Sequence, residues 1–458
     1  MRKATRTISG VTPVAVMAKP FPCPGECVYC PTSDDAPKSY TVESPAVLRA
    51  IACEFDPGRQ VSFRIDTLRT MGHPVHKVEL IVMGGTFLAY PVDYQDWFIK
   101  SCYDALNGVV SGSLEEAQVL NESAIHRCVG LCIETRPDWC GPAEVDRMLG
   151  YGVTRVELGV QTIDDDINAL TLRGHGVAEV VNATHLLRQR GFKVYYHWMP
   201  GLPGSSPEHD IEMTRMLFED PRFRPDGLKL YPTVVVAGSQ LENWYRDGRY
   251  NPRTTLEMRE LLVAIKQFVP PYVRIARLMR DIPRKFIVAG CDDLALRGTV
   301  RKRMNELGLS CQCIRCREYG HRVRDGWSPG VPGLIRRDYE AGPCRECFLS
   351  IEDADSTLFG LLRLSICSDG DGESPIATVR ELHVFGPEVQ LGESQTDAVQ
   401  HRGIGASLLR QAERIASSEY RATSLRVLSG VGVRGYYAEL GYRRDGAYMA
   451  RALDRTEG

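Results

Sequence analysis

Between residues 11 and 290, short β-branched apolar runs alternate with amphipathic helical stretches, and this alternation restricts the fold more than any other feature of the chain. Strands are expected at residues 11–17, 77–83, 129–134, 155–160, 193–197, 228–231 and 273–278, with helices such as 142–150 and 177–190 between them. Polar or glycine-bearing motifs follow the strand ends: Gly84-Gly85-Thr86, Glu134-Thr135-Arg136, Gln161-Thr162, the Pro-Gly-Leu-Pro-Gly run at 200–204, and Tyr231-Pro232. Glycine and proline terminate strands in any fold. Their recurrence with polar residues after five strands instead points to chemistry gathered at one rim of a partial (β/α) barrel.

The 458 residues allow about three domains. The barrel is expected over residues 1–290, a linker over 291–333 and a strand-rich α+β domain over 334–458. In the last of these, strands are expected at 334–339, 348–352, 358–366, 378–385 and 425–428 and near Tyr448, a helix at 404–417, a further element at 436–440, and polar loops at 368–375 and 392–397. No apolar run approaches the roughly 20 residues that a membrane-spanning helix needs, so a cytoplasmic protein with no membrane partner is expected. The formal charge of −2 announces no nucleic-acid partner by itself. Its distribution is more telling: residues 271–303 hold nine Lys or Arg against three Asp.

Fifteen cysteines without a secretory signal argue for metal chemistry over a disulfide framework. Cys23, Cys27 and Cys30 form C-x-x-x-C-x-x-C, one ligand short of filling a 4Fe-4S cluster, so that one iron stays open to a small molecule. Zinc or a structural cluster is the alternative, but no fourth Cys or His lies nearby in sequence. The spacing, followed by Gly84-Gly85-Thr86, resembles the radical S-adenosylmethionine (SAM) superfamily. That resemblance implies SAM chelated to the open iron, its amino end against Gly84, Gly85 and Thr86, with Gln161 as a further contact, and a 5′-deoxyadenosyl radical on reduction. Cys313, Cys316, Cys344 and Cys347 form two C-x-x-C pairs that would close a tetrahedral Zn²⁺ shell. Cys311 is an alternative ligand, and His321 is expected at the surface. The other cysteines read as small buried hydrophobes.

Gln400, His401, Arg402, Gly403, Ile404, Gly405 and Ala406 follow a strand and loop and open a helix, where backbone amides and the helix N-terminus suit a diphosphate. With the Arg380-to-Val384 strand before it, the segment resembles the Gcn5-related N-acetyltransferases. The resemblance implies that these residues, with Glu381, Leu382, His383 and Val384, bind acetyl-CoA. It also implies that Glu381 stands where some relatives carry a general base, and that Tyr436 or Tyr437 lies by the thioester. Core packing is the other reading of the two tyrosines.

Both motifs in one chain, together with Ile133-Glu-Thr-Arg-Pro-Asp138, Glu157-Leu-Gly-Val-Gln161, Arg336-Arg-Asp-Tyr339 and Ser429-Gly-Val-Gly-Val-Arg434, resemble the family of the catalytic subunit of Elongator over nearly the full length. This implies an enzyme that installs a 5-carboxymethyl group on the wobble uridine of tRNA: the acetyl methyl group loses a hydrogen, its carbon adds to carbon 5 of the base, and the thioester is hydrolysed. The double C-x-x-C matches the prokaryotic form, the long N-terminal extension of eukaryotic members is missing, and accessory Elongator subunits are not implied. Arg274, Arg277, Arg280, Arg284, Lys285, Arg301, Lys302 and Arg303 are then expected to hold anticodon-loop phosphates. Two other readings remain: a protein lysine acetyltransferase with a structural cluster, and a non-catalytic RNA-binding scaffold.

Overall fold

The apolar runs become parallel strands because each carries two useful faces: one packs on helices and the other looks inward. In the computed structural model, which describes residues 7–368, 375–386 and 403–453, these strands are β1 (Thr12–Met17), β2 (Lys77–Met83), β3 (Arg127–Thr135), β4 (Arg155–Gln161), β5 (Lys193–Trp198) and β6 (Gly227–Leu230). A short β7 (Val235–Val236) precedes β8 (Arg274–Arg277) and pairs antiparallel with β9 (Ile287–Ala289). The main sheet runs β1-β2-β3-β4-β5-β6-β8, parallel throughout, as an open, partial barrel. Along β4, Val156, Leu158 and Val160 are fully buried against the helical layer, while Arg155, Glu157, Gly159 and Gln161 face the interior. Helices Pro57–Thr70, Val92–Asn107, Pro142–Tyr151 and Val177–Gln189 contribute to that layer.

Residues 291–333 hold more structure than a linker. Helices Leu296–Glu306, Ile314–Arg317 and Tyr319–Arg324 form there, and Val300, Met304 and Ile314 join the barrel's hydrophobic core. His321 is accordingly buried, not at the surface, and burial pushes its pKa down to about 4.

The second sheet comprises β10 (Gly333–Ala341), β11 (Cys344–Glu352), β12 (Leu358–Ser368), β13 (Pro375–Val384), β14 (Ser424–Val427), β15 (Arg443–Asp445) and β16 (Tyr448–Ala452), in the order β10-β11-β12-β13-β14-β16-β15. It is mixed: β13 and β14 run parallel and pair only from Ala377↔Leu425 to Val379↔Val427, after which β13 continues to Val384 paired with β12 but not with β14. One face packs the amphipathic helix Ile404–Ser418 through Leu408, Leu409, Ala412 and Ile415. The other face belongs to the barrel's core, which includes Phe348, Leu361, Phe385 and Leu428.

A bulge at Arg363/Leu364 aims Arg380 and Glu381, consecutive on β13, at the barrel together. Arg380 pairs with Asp226 at 2.7 Å and Glu346 at 2.6 Å, and Arg363 pairs with Glu381 at 2.8 Å and Asp226 at 3.4 Å. Burial raises the Asp226 carboxyl, but the two arginines outweigh it and hold the group well below the usual carboxylate range. Next to this network, the Gly430 and Gly432 turn lies flat on β3: a Cβ on Gly430 would stand 2.2 Å from the Val129 carbonyl oxygen. No helix among the described residues is long and apolar enough to cross a membrane.

Candidate active site

The inward residues of the barrel enclose a cavity of about 370 Å³ that runs the length of the strands, from Ser9 and Val11 at one end to Cys30 and Gly85 at the other. Val11, Pro13, Ala15, Ile81 and Met83 keep the β1–β2 side largely apolar, but unlike a barrel interior filled with branched apolar side chains, the rest of its wall carries charged residues. Glu134 accepts from Lys229 and from the Tyr40 hydroxyl, each at 2.8 Å; Glu157 pairs with Lys229 and lies 3.1 Å from His197; Arg155 pairs with Glu79. Burial raises the Glu157 carboxyl, but Lys229, the His197 hydrogen bond and Arg155 prevail and keep it well below the usual range.

The cysteine loop follows β1. Cys27 is buried, while Cys23 and Cys30 are partly exposed and Cys30 lines the cavity. A hydrogen bond from Cys30 and the Arg173 guanidinium, 3.2 Å from the Cys27 sulfur, hold the Cys27 thiol well below its usual range against the raising effect of burial. Beside this loop, Arg136 Nη1 and Arg173 Nε are buried donors without partners, and Gly25 lies so close to Arg136 that a Cβ would sit 2.0 Å from Nη1. Cys27 and Cys30 are hydrogen-bonded neighbours in a loop that also carries Cys23, and the unspent Arg136 and Arg173 donors beside that loop suit an anionic cluster. Gly84 and Gly85 turn after β2 with φ of 139° and 77°, and a Cβ on Gly84 would meet Ala18 Cβ at 2.9 Å. Thr86 Oγ1 lies 3.8 Å from Cys23 Sγ. Gln161, at φ 69°, takes a left-handed conformation unusual for a non-glycine residue as it closes β4 at the same rim.

At the second sheet, the space between diverging β13 and β14 faces the start of the Ile404–Ser418 helix, which Gly403 initiates at φ 76°, with no atom of the described residues within 4 Å of where a Cβ would be. A Cβ on Gly405 would meet the Tyr436 hydroxyl at 2.8 Å, so Tyr436 stands over the helix's first turn. Tyr437 is a core residue stacked edge-on with Tyr436 and Tyr442. Ala406 follows in the same turn, whereas Gln400, His401 and Arg402 lie outside the described residues, as does most of the span of the two polar loops. Glu381 does not face this space: it binds Arg363, with Lys193 at 3.6 Å, and its pKa falls to about 2, burial being overcome by Lys193 and Arg363. His383 Nε2 lies 2.8 Å from the Ser9 carbonyl at the far end of the barrel cavity, which ties β13 to that cavity.

Two further expectations change. Cys344 is disulfide-bonded to Cys367 on the neighbouring strand, and Cys347 lies on β11 beside Arg336 and Tyr420, so the four cysteines do not converge. Instead Cys311, Cys313 and Cys316 come together with sulfurs within 4.8 Å, and Lys266 Nζ lies 3.2 Å from Cys311. Among the basic residues, Arg274 is inside the barrel, 2.6 Å from buried Glu318, and Arg280 turns inward to Ser39. Arg277, Arg284, Lys285, Arg301, Lys302 and Arg303 remain at the surface in ion pairs, Arg284 and Lys302 being 75% and 81% exposed.

Sequence comparison fixes the family. Residues 22–217 match the radical SAM superfamily and residues 225–306 the radical SAM C-terminal domain. A tRNA uridine(34) acetyltransferase of Dehalococcoides mccartyi (strain CBDB1) is 58% identical across 99% of this chain and 100% of its own length. The chain belongs to the tRNA uridine(34) acetyltransferase family. Elongator complex protein 3 of Homo sapiens is 43% identical over 98% of this chain and 86% of its own. The solved structure of the archaeal Methanocaldococcus infernus Elp3 with N-terminus deletion (1-46) aligns at a TM-score of 0.87 and 44% identity, covering 98% of this chain and 100% of that one. Within this tRNA uridine(34) acetyltransferase family member, sequence reading left His197 and Lys229 without a role and gave Glu134 and Glu157 none beyond their motifs. Charged residues at every second position of β4, through Arg155 and Glu157, were the available signal, because a packed barrel would place apolar side chains there.

Proposed function

We propose that the protein is an acyltransferase that uses acetyl-CoA and SAM to build a 5-carboxymethyl group on the wobble uridine of tRNA. The observation that supports this reading is the barrel cavity, which begins at the cysteine rim and ends at Ser9, whose carbonyl His383 of β13 contacts from the second sheet. A 4Fe-4S cluster held by Cys23, Cys27 and Cys30 supplies one-electron reductive cleavage of SAM. Gly84, Gly85, Thr86 and Gln161 shape the rim for SAM, and the Arg136 and Arg173 guanidiniums offset the negative charge gathered there. Lys229 and His197, fixed by Glu134 and Glu157, offer polar contacts to the edge of a uracil, deep in the cavity and away from bulk water.

Gly403, Ile404, Gly405 and Ala406 present amides to the diphosphate of acetyl-CoA, with Gln400, His401 and Arg402 in the same segment, and Tyr436 stands by the thioester. Leu382, His383 and Val384 border the same space, while Glu381 and Tyr437 support the architecture. Arg277, Arg284, Lys285, Arg301, Lys302 and Arg303 hold phosphates. Their present ion pairs are worth only about 0–1 kcal/mol each, so a polyanion displaces them readily. Zn²⁺ is assigned to Cys311, Cys313 and Cys316, which would supply three of the four ligands of a tetrahedral shell.

On this reading tRNA binding triggers the use of acetyl-CoA, which CoA release from acetyl-CoA, followed with and without unmodified tRNA, tests. Release is expected to be slow alone and faster with tRNA; equal rates contradict it.

A further inference from the structure

On the outer wall, next to the cysteine loop, a second cavity of about 370 Å³ is lined by Lys19, Phe21, Pro91, Asp93, Tyr94 and Trp97. Its base is a run of near-parallel rings: Phe21 on Tyr90 with centroids 4.5 Å apart and 26° between planes, then Tyr90 on Tyr94 at 5.1 Å and 19°. Trp97 adjoins Tyr94 at 5.5 Å, its ring tilted by 44°, and is 45% exposed, which is uncommon for so large an apolar side chain without a partner. Lys19 Nζ lies 4.9 Å from the Tyr94 ring centroid.

The slot is rigid. Pro20 and Pro22 flank Phe21 and restrict its backbone. The Tyr90 hydroxyl donates to the Lys19 carbonyl at 2.6 Å, and the Lys19 amide donates to the Tyr94 hydroxyl at 3.1 Å. The slot also touches the reaction rim at both ends of its frame: the Lys19 segment runs directly into Cys23, and the Tyr90 hydroxyl also reaches the Gly84 carbonyl at 3.3 Å.

We propose that this slot binds one unpaired nucleobase of the tRNA anticodon loop, a neighbour of the base that enters the barrel. The base stacks among Phe21, Tyr94 and Trp97, its phosphate meets Lys19, and the Asp93 carboxylate accepts from an exocyclic amino group. Flat rings that end in an exposed face, with a cation over one of them, are the chemistry of single-strand recognition. A base pinned on the outer wall fixes the loop's register, so that its neighbour is presented to the cavity and not to solvent. The inference rests on the tRNA reading above.

The test uses the full chain and an anticodon stem–loop with 2-aminopurine beside the wobble uridine. Binding is expected to quench the 2-aminopurine, and Trp97→Ala and Phe21→Ala to abolish the quenching and weaken binding about 5- to 150-fold. Trp97→Phe keeps a stacking face and is expected to recover most of both. Lys19→Gln removes one phosphate contact and is expected to flatten the salt dependence by about 0.7 log units. If the alanine variants melt like the parent yet bind and quench unchanged, the slot assignment is wrong while the tRNA reading stands. If the parent protein binds no tRNA, both fall. If the variants bind RNA normally but accept electrons more slowly from a small electron-transfer protein, the slot is a protein dock and the proposal is overturned.

Discussion

Cys311, Cys313 and Cys316 show how far spacing carries at the level of single residues. Two C-x-x-C pairs in sequence suggest four thiolates at one metal, but strand register decides otherwise: Cys344 lies directly opposite Cys367 on β12. Cys313→Ser is therefore expected to abolish zinc binding and lower thermal stability, because metal binding contributes folding free energy. Cys344→Ser is expected to retain zinc. Metal analysis of the two variants decides the matter, and loss of zinc from the Cys344 variant would restore the four-cysteine site. Cys23, Cys27 and Cys30 could be proposed from sequence because one short loop carries all three. Arg274 and Glu381 were not, since a charged residue on a strand reads the same whether it faces solvent, a cavity or another sheet. Their partners, Glu318 and Arg363, are 44 and 18 residues away.

At the level of elements, the seven strands of the barrel were readable nearly to their ends because β-branched runs bounded by glycine and polar residues have few other uses. The helices of residues 296–324 were not, as Arg301, Lys302 and Arg303 obscure the small buried stripe of Leu296, Val300 and Met304. The Ser429-to-Arg434 motif gains a physical reason from contact: Gly430 and Gly432 let a turn of the second domain lie against the backbone of β3, and Arg434 adds an ion pair to Glu122 at 3.1 Å. Gly430 has φ −61°, so a side chain is excluded by space and not by backbone strain. Gly430→Ala is expected to cost about 1–3 kcal/mol through overpacking, seen as a lower melting temperature. Gly435→Ala, in open space on the next helix, is expected to change little. Equal melting of the two variants would remove Gly430 from the interface.

For the whole molecule, the two sheets act as one body because buried charge joins them. Asp226, at the start of the barrel's β6, meets Arg380 and Arg363 from the second sheet. The folded-state pKa of Glu381 is about 2 and that of Asp226 is also depressed, so their stabilisation is complete above about pH 5 and is lost as the pH falls through the folded values. Melting temperature is expected to drop over that acid range. Asp226→Asn is expected to lower the melting temperature at neutral pH by leaving Arg380 and Arg363 with one carboxylate partner each, Glu346 and Glu381, and to flatten the acid dependence; an unchanged acid slope in this variant contradicts the role given to the network. That joint also holds β13 against the barrel, where His383 reaches the Ser9 carbonyl at the end of the cavity. The most direct measurement is nucleoside mass spectrometry after anaerobic incubation of cluster-reconstituted protein with SAM, a reductant, unmodified tRNA and acetyl-CoA carrying carbon-13 at both acetyl carbons. The account predicts 5-carboxymethyluridine at the wobble position bearing both labelled carbons, and none from Cys27→Ser protein. Unchanged uridine from the intact protein, or labelled product from the Cys27 variant, would contradict it.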